Sequence, residues 1–420
     1  MATASEHPVT KQQRFILNSN LRWFLLAMIL ANIAGQMGNS MMSLYLVDLG
    51  ATVPQVGLVF TLAALVPVAL QILGGWLSDT IGRLRAIALG SSVTVFGWLI
   101  LVLSRSWPWV LLGLCLDSVS RATVGPSFGA YIAEQSTEDQ RGRVFGVTKG
   151  IFMIVGVIGP ALGGLLAYRF SFRTMILVAF AFFASATALR IWMATAERFA
   201  PPRSAQKPTL AGLRTEVGGI FALLFAGGIL TWIWVTDAIN DTAFSMIQQL
   251  YPIYLADIGG LNLAQIGLLN SASGVATILA ALLAGWLTDK LSERVVIVGA
   301  LSTVTLGLIA LLQASSFAAF LLGIAIFGLG AGGLTPAYDS LVSKVVPESK
   351  RGLAFGLFGT SLGILSLPFP WIGAQLWQRV GPQAPFWLTV VASAISIPIA
   401  AWAFVLPKRR PPDGADEQAS

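Results

Sequence analysis

Along its length the chain alternates between long apolar stretches and short polar breaks, and it does so twelve times. Each stretch runs for about 20 residues or more, the length an α-helix needs to cross the hydrocarbon core of a bilayer. The pattern predicts membrane-spanning helices over 22–46, 54–77, 85–104, 108–133, 144–168, 173–195, 230–254, 263–287, 294–314, 317–345, 352–376 and 383–406, here spans 1 to 12. Most breaks are short. The long one contains Pro201, Pro202, Arg203, Lys207 and Pro208, then an apolar stretch, Leu210–Leu230, interrupted by Arg214 and Glu216. It reads as a linker with an interfacial helix. The chain therefore divides into a first bundle at 1–197, the linker at 198–229, a second bundle at 230–407 and a tail at 408–420. The polar tail is expected to be disordered. The predicted fold class is all-α: an integral membrane protein of twelve transmembrane helices in two six-helix bundles.

Composition agrees. Only 11% of residues are charged and 55% are hydrophobic, against roughly 25% charged in soluble chains, and mean hydropathy is +0.77. A net charge of +7 in a soluble chain would suggest nucleic acid, but its placement excludes that partner. Twenty-one of the 26 Lys and Arg fall in the tails, in every second loop or at span ends bordering them; only Arg105, Arg169, Arg173 and Arg379 occupy the alternate loops, and Arg121 lies inside a span. This asymmetry predicts a multi-pass protein of the cytoplasmic membrane with both termini in the cytoplasm. The single cysteine, Cys115, precludes an intrachain disulfide, and the single histidine, His7, lies in the N-terminal tail, so no histidine metal site or intramembrane histidine relay is expected.

The two halves are copies. Gly75-Trp76-Leu77-Ser78-Asp79 recurs 210 residues later as Gly285-Trp286-Leu287-Thr288-Asp289. At the same shift Gln55 and Gly57 match Gln265 and Gly267, Pro126 matches Pro336, and Pro160 and Gly163 match Pro370 and Gly373. Upstream the shift is 209: Trp23 matches Trp232 and Tyr45 matches Tyr254. An offset held across most of the unit means a parallel 6+6 repeat, a known plan of secondary transporters.

Gly75-Trp76-Leu77-Ser78-Asp79-Thr80-Ile81-Gly82-Arg83-Leu84-Arg85 resembles the signature loop of the major facilitator superfamily between its helices 2 and 3. The second copy keeps Gly285, Leu287 and Asp289 but has Ser292 where Gly82 stands. Arg121-Ala122-Thr123-Val124-Gly125 resembles the family's Arg-x-x-x-Gly motif in helix 4. Gly156-x-x-Gly159-Pro160-x-x-Gly163-Gly164 resembles the helix 5 motif of its drug–proton antiporters, with Val155 where that motif has a glycine. The resemblance implies a gate in which Asp79 docks near the start of helix 11 when the protein faces outward. It also implies that helices 1, 4, 7 and 10 line a central cavity. One detail comes from the residues alone: Arg83 aligns with Glu293, and Glu134 with Lys344, so both signs invert together. Two ion pairs are expected, Arg83–Glu134 and Glu293–Lys344, each tying the loop motif to the end of span 4 or span 10.

Polar residues inside spans are expensive and point to function. Asn32, Gln36 and Asn39 share one face of span 1; Asp237, Asp241, Ser245 and Gln248 share one face of span 7. At the 209 shift three of these pairs coincide, so two equivalent helices present polar stripes at equal depth. Asp117 and Arg121 stand one turn apart on span 4, and Tyr338 lies on span 10 beside Asp339 and Thr335. The expected cavity residues are therefore Asn32, Gln36, Asn39, Asp117, Arg121, Asp237, Asp241, Ser245, Gln248 and Tyr338. The expected gating residues are Gly75, Asp79, Gly82, Arg83, Glu134 and Asp289. Asp241 is the first choice for a proton carrier and Asp237 the second; sodium is an alternative ion at the same carboxylates.

No nucleotide-binding glycine loop, metal cluster or nucleophile–histidine pair is present in the sequence, which argues against an enzyme or an ATP-driven pump. The expected function is proton-coupled export of a small amphipathic or drug-like solute by a monomeric antiporter without cofactors. An importer of a sugar or other metabolite and a non-transporting membrane sensor are the alternatives.

Overall fold

A computed structural model describes residues 19–196, 228–346 and 351–405. The expected linker helix and C-terminal tail fall almost wholly outside these residues. In hydrocarbon every backbone N–H and C=O must be satisfied within the chain, and the described residues accordingly form helices throughout.

The first half holds α1 (Ser19–Asp48), α2 (Val53–Ile81), α3 (Arg83–Leu103), α4 (Trp107–Gln135), α5 (Glu138–Arg169) and α6 (Phe172–Thr195). The second holds α7 (Ile229–Gln248), α8 (Tyr251–Asp257), α9 (Leu263–Lys290), α10 (Glu293–Leu312), α11 (Phe317–Val345), α12 (Arg351–Ser366), α13 (Phe369–Arg379) and α14 (Ala384–Ala403). Spans 7 and 11, expected as single helices, are each broken in two, α7–α8 and α12–α13. Proline is the local cause: Pro252 opens α8, and Pro368 precedes α13.

Ten of the twelve spans are long and apolar enough to cross a membrane by length and composition. The two that fall short are α4 and α7 with α8. They carry the Asp117–Arg121 and Asp237–Asp241 pairs, so the polar cost is concentrated where function is expected.

Duplication extends to packing. α1 packs on α5 and α6, α2 on α4, and α3 on α4 and α6; in the second half α7 packs on α13, α12 and α14, α9 on α11, and α10 on α11 and α14. Helix starts repeat as well. Thr52 N–H donates to Gln55 Oε1 at 2.8 Å and, 210 residues on, Asn262 N–H donates to Gln265 Oε1 at 3.0 Å, each a capping contact that satisfies an orphan donor. Edge-to-face tryptophan pairs repeat too, Trp23–Trp192 at 5.9 Å and Trp232–Trp402 at 5.4 Å between ring centroids.

The halves meet at one end. We call the end bearing the turns at Gly82 and Ser292 the near end and the opposite one the far end. At the far end Gly57 on α2 abuts Pro370, Trp371 and Ala374 on α13, and Gly267 on α9 abuts Pro160 and Gly164 on α5. These contacts are mates under the 210 shift, because Gly57 aligns with Gly267 and Gly164 with Ala374. Polar mates accompany them: the Trp371 N–H donates to Thr61 Oγ1 at 3.2 Å, and the Ser271 hydroxyl to the Val157 carbonyl at 2.5 Å. Glycine is required where backbones approach this closely.

The hydrophobic core follows the same division. One large cluster at the far end draws on both halves, including Met37, Met41 and Phe183 with Tyr254, Phe320 and Phe386. Toward the near end it splits into a second-half cluster around Ile233, Leu301 and Leu341 and a first-half cluster around Phe24, Ile87 and Ile132. Among the described residues the halves are joined at the far end, and toward the near end their buried cores are separate.

Candidate functional site

Between the halves, on the near side of this seam, lies a cavity of about 810 Å³. Its walls include Gln36 and Asn39 from α1; Asp237, Asp241, Ser245 and Gln248 from α7; and Tyr338 with Thr335 and Asp339 from α11. The i, i+4, i+7 spacing explains why α1 and α7 each present these side chains together. Phe244, Phe327 and Phe386 supply apolar wall, and Phe244 meets Phe327 edge to face at 5.7 Å.

Three expected residues do not line this cavity. Asn32 stands one turn nearer the mouth and turns its amide back to the Met28 carbonyl at 2.8 Å. Asp117 and Arg121 pair with each other on α4, Nη1 to Oδ2 at 3.4 Å, while Arg121 also donates to the Ser118 hydroxyl at 2.5 Å. Arg121 lines a second, smaller hollow of about 420 Å³ with Pro67 on α2 and Gly359 and Gly363 on α12. Helical spacing correctly put the pair on one face, but α4 packs heavily on α2 and α3, and Arg121 faces the α2–α12 cleft.

Asp241 faces the cavity and accepts a hydrogen bond from the Ser366 hydroxyl at the end of α12. The Tyr338 hydroxyl donates to Thr236 Oγ1 at 3.2 Å. Among the described residues, three polar atoms in the wall have no hydrogen-bond partner although buried: Asn240 Oδ1, Asn270 Nδ2 and the Tyr251 hydroxyl. Buried polar groups are normally paired, and these three atoms are exceptions behind the cavity wall. Sequence reasoning missed Ser366 and Asn270; the signal for Ser366 was a serine just before Pro368 and Pro370 in an otherwise apolar span.

At the near end both expected ion pairs are present. Arg83 Nε stands 3.5 Å from Glu134 Oε1, and Arg83 Nη1 donates to Ser78 Oγ at 3.0 Å. Lys344 pairs with Glu293, which also accepts from Ser340 at 2.9 Å. Gly82 takes φ +94°, a conformation that favours glycine, whereas Ser292 at the matching turn is extended and instead caps α10 by accepting from Val295 N–H at 3.4 Å. This explains how the second loop can lack the glycine. Gly75, Asp79 and Asp289 lie outside the residues whose surroundings are described.

Arg190, grouped by the charge count with the span ends, is instead buried in α6 at 1% exposure. It donates to Ser91 Oγ at 2.6 Å and lies over the Phe183 ring at 5.8 Å.

A family model described as Major Facilitator Superfamily matches residues 24–259 and 233–419. The chain belongs to the major facilitator superfamily. Its members are membrane transporters, not enzymes, and this chain is accordingly a multi-pass integral membrane protein. It is 28% identical over 360 residues to the multi-drug resistance efflux pump PmrA homolog of Lactococcus lactis, covering 83% of this chain and 84% of that one. It is 27% identical over 381 residues to the multidrug resistance protein MdtG of Serratia proteamaculans, covering 88% and 89%. In fold it resembles a crystal structure of the peptide transporter POT in complex with sulfate, with TM-score 0.71, 15% identity and coverage of 91% and 92%.

Proposed function

We propose that this major facilitator protein exports amphipathic, drug-like compounds in exchange for protons, acting as a monomer in the cytoplasmic membrane. The observation that carries the reading is the cavity wall. It combines aromatic surface with Asp237, Asp241 and Asp339, and no Lys, Arg or His is among its described lining residues. Carboxylates in such a place suit both a proton and a cationic group on an amphipathic solute. The relatives named as multidrug efflux pumps favour export over import.

With the near end cytoplasmic, as the distribution of Lys and Arg supports, the conformation described here faces inward. The two bundles then rock about the cavity. The near-end pairs Arg83–Glu134 and Glu293–Lys344 act as couplings within each half, holding each loop motif on its own bundle so that the bundle moves as one body. Asp241, exposed to the cavity and in reach of Ser366, is the foremost proton carrier; Asp237, one turn away, is the second.

The test is efflux from vesicles across a panel of amphipathic cations, anions and neutral sugars under an imposed pH gradient, repeated with a sodium gradient. Proton-driven efflux of the amphipathic compounds is expected. Uptake of sugars, or drive by sodium alone, contradicts the proposal.

A further inference from the structure

Span 11 breaks at the wall of the cavity. Pro368 and Pro370 have no N–H, so the carbonyls of Ile364 and Ser366 lose their usual i+4 donors. Each finds another: Leu367 N–H donates to Ile364 O at 3.3 Å, and the Ser245 hydroxyl of α7 donates to Ser366 O at 3.2 Å. The Ser366 hydroxyl donates in turn to Asp241 on α7. The α12–α13 joint is thus docked on α7 by two bonds running in opposite directions, one of which ends on the candidate proton carrier. Beyond the joint, α13 forms half of the far-end seam, through Gly57 and Thr61 of α2.

The first half lacks this arrangement. Ser366 aligns with Gly156, Ser245 with Gln36 and Pro368 with Ile158. There, α5 runs unbroken from Glu138 to Arg169. Duplication supplies the frame, and only the second half adds the hydroxyl, the break and the acid.

We propose that Ser366 is a positioning residue that transmits the charge state of Asp241 to the far-end seam; this rests on Asp241 being the proton carrier. The ionised carboxylate accepts from Ser366 and holds the joint, and with it α13, in the closed arrangement. A proton on Asp241 weakens it as an acceptor and adds a competing donor. A cationic group on the solute draws the carboxylate away to the same effect. An empty, ionised carrier is therefore held closed at the far end, while a carrier loaded with proton or solute is free to open. That rule enforces exchange and prevents a futile cycle.

The other ionisable groups facing Asp241 are Asp237 on α7, Tyr338 and Asp339 on α11, and Tyr251 on α8, with Lys149 of α5 in electrostatic reach of Asp339. α14 has none, α12 and α13 carry only Arg351 and Arg379 at their ends away from the joint, and α1 presents Gln36 and Asn39. Asp237→Asn is therefore run as a control.

The experiment places spin labels at Asp48 and Gln378, exposed positions at the far ends of α1 and α13, in a Cys115→Ser background in lipid nanodiscs. Their separation is measured without solute across a pH series. The wild type is expected to open at the far end as pH falls. Ser366→Ala is expected to raise the open-to-closed ratio at high pH by about tenfold and to lose most of its response to pH, because the one hydrogen bond to a charged group that couples the two is gone. Ser366→Thr, which keeps the hydroxyl, should follow the wild type, Asp237→Asn should still open as pH falls but at a higher proton concentration, because a neighbouring carboxylate that favours the protonated form is gone, and Asp241→Asn should not respond to pH. If Ser366→Ala does not fold, Ser366→Gly, the residue of the first half, carries the same expectation. Wild-type titration by the Ser366 variants beside an unresponsive Asp241→Asn overturns the latch and leaves Asp241 as carrier. Wild-type titration by Asp241→Asn overturns both.

Discussion

A single methyl group at Gly267 should open the far end. In the closed seam a Cβ on Gly267 would stand 2.5 Å from the Pro160 carbonyl oxygen and 3.0 Å from the Gly164 Cα. Unstrained contacts lie at about 3.5–4.0 Å. Both neighbours are backbone, so neither can swing aside as a flexible side chain would. Overpacking of this kind costs about 1–3 kcal/mol. Alanine also favours a helix over glycine by about 1 kcal/mol, but α9 is a helix in either conformation and that term cancels. Because the clash exists only while the seam is closed, Gly267→Ala should shift the ratio of open to closed by about 5–150-fold. The mate, Gly57→Ala, meets Ala374 Cβ and the Pro370 carbonyl at 2.6 Å and should act in the same direction. The assay is the labelling rate of a cysteine at Ser40, in the cavity wall, by an impermeant maleimide added at the far side, in a Cys115→Ser background. Faster labelling is expected in both variants. An unchanged rate in folded Gly267→Ala protein would refute the view that this seam closes the far end.

Three further outcomes follow from the packing. Glu293 is 3% exposed and bonded to Lys344 and Ser340, whereas Glu134 is 56% exposed. Glu293→Ala should therefore lower thermal stability in detergent by about 1–3 kcal/mol and Glu134→Ala by about 0–1 kcal/mol; equal losses contradict the contrast. Ser245→Ala leaves the Ser366 carbonyl without its described donor and should cost about 1–3 kcal/mol, with Ser245→Thr close to wild type in the same melting assay. Arg190 has no carboxylate within ion-pair distance among the described residues. Replacing it with methionine should leave stability within about 1 kcal/mol or raise it, as buried charges exchanged for apolar side chains often do; a loss above about 3 kcal/mol contradicts that reading.

Much of the architecture was legible in the residues because bilayer and duplication constrain the chain strongly. Apolar length located the spans, and the 210 shift located their partners. The inverted signs at Arg83, Glu134, Glu293 and Lys344 indicated both near-end pairs before any coordinates. Helical spacing brought Gln36 and Asn39 to face Asp237, Asp241, Ser245 and Gln248 in one cavity. What escaped depends on tertiary placement. Spacing tells which residues share a face of α4 but not that Arg121 turns toward α12, where it lines the smaller hollow and not the main cavity. Arg190 sits close enough to a span end to be read as reaching water, yet its side chain turns inward to Ser91. Pro368 and Pro370 were visible, but prolines inside transmembrane helices are tolerated when neighbours satisfy the freed carbonyls. Whether they kink or break the span depends on partners such as Ser245, which lies 121 residues away.

The most direct test of the central claim is proton movement itself. Purified protein is reconstituted in vesicles loaded with a pH-sensitive dye, and an amphipathic cation is added at the cytoplasmic face without an imposed gradient. The wild type should couple entry of each solute molecule to opposite movement of protons. Asp241→Asn should fold and bind the cation more weakly, yet move no protons even at saturating solute. Solute-dependent proton movement at the wild-type rate in Asp241→Asn would contradict the account.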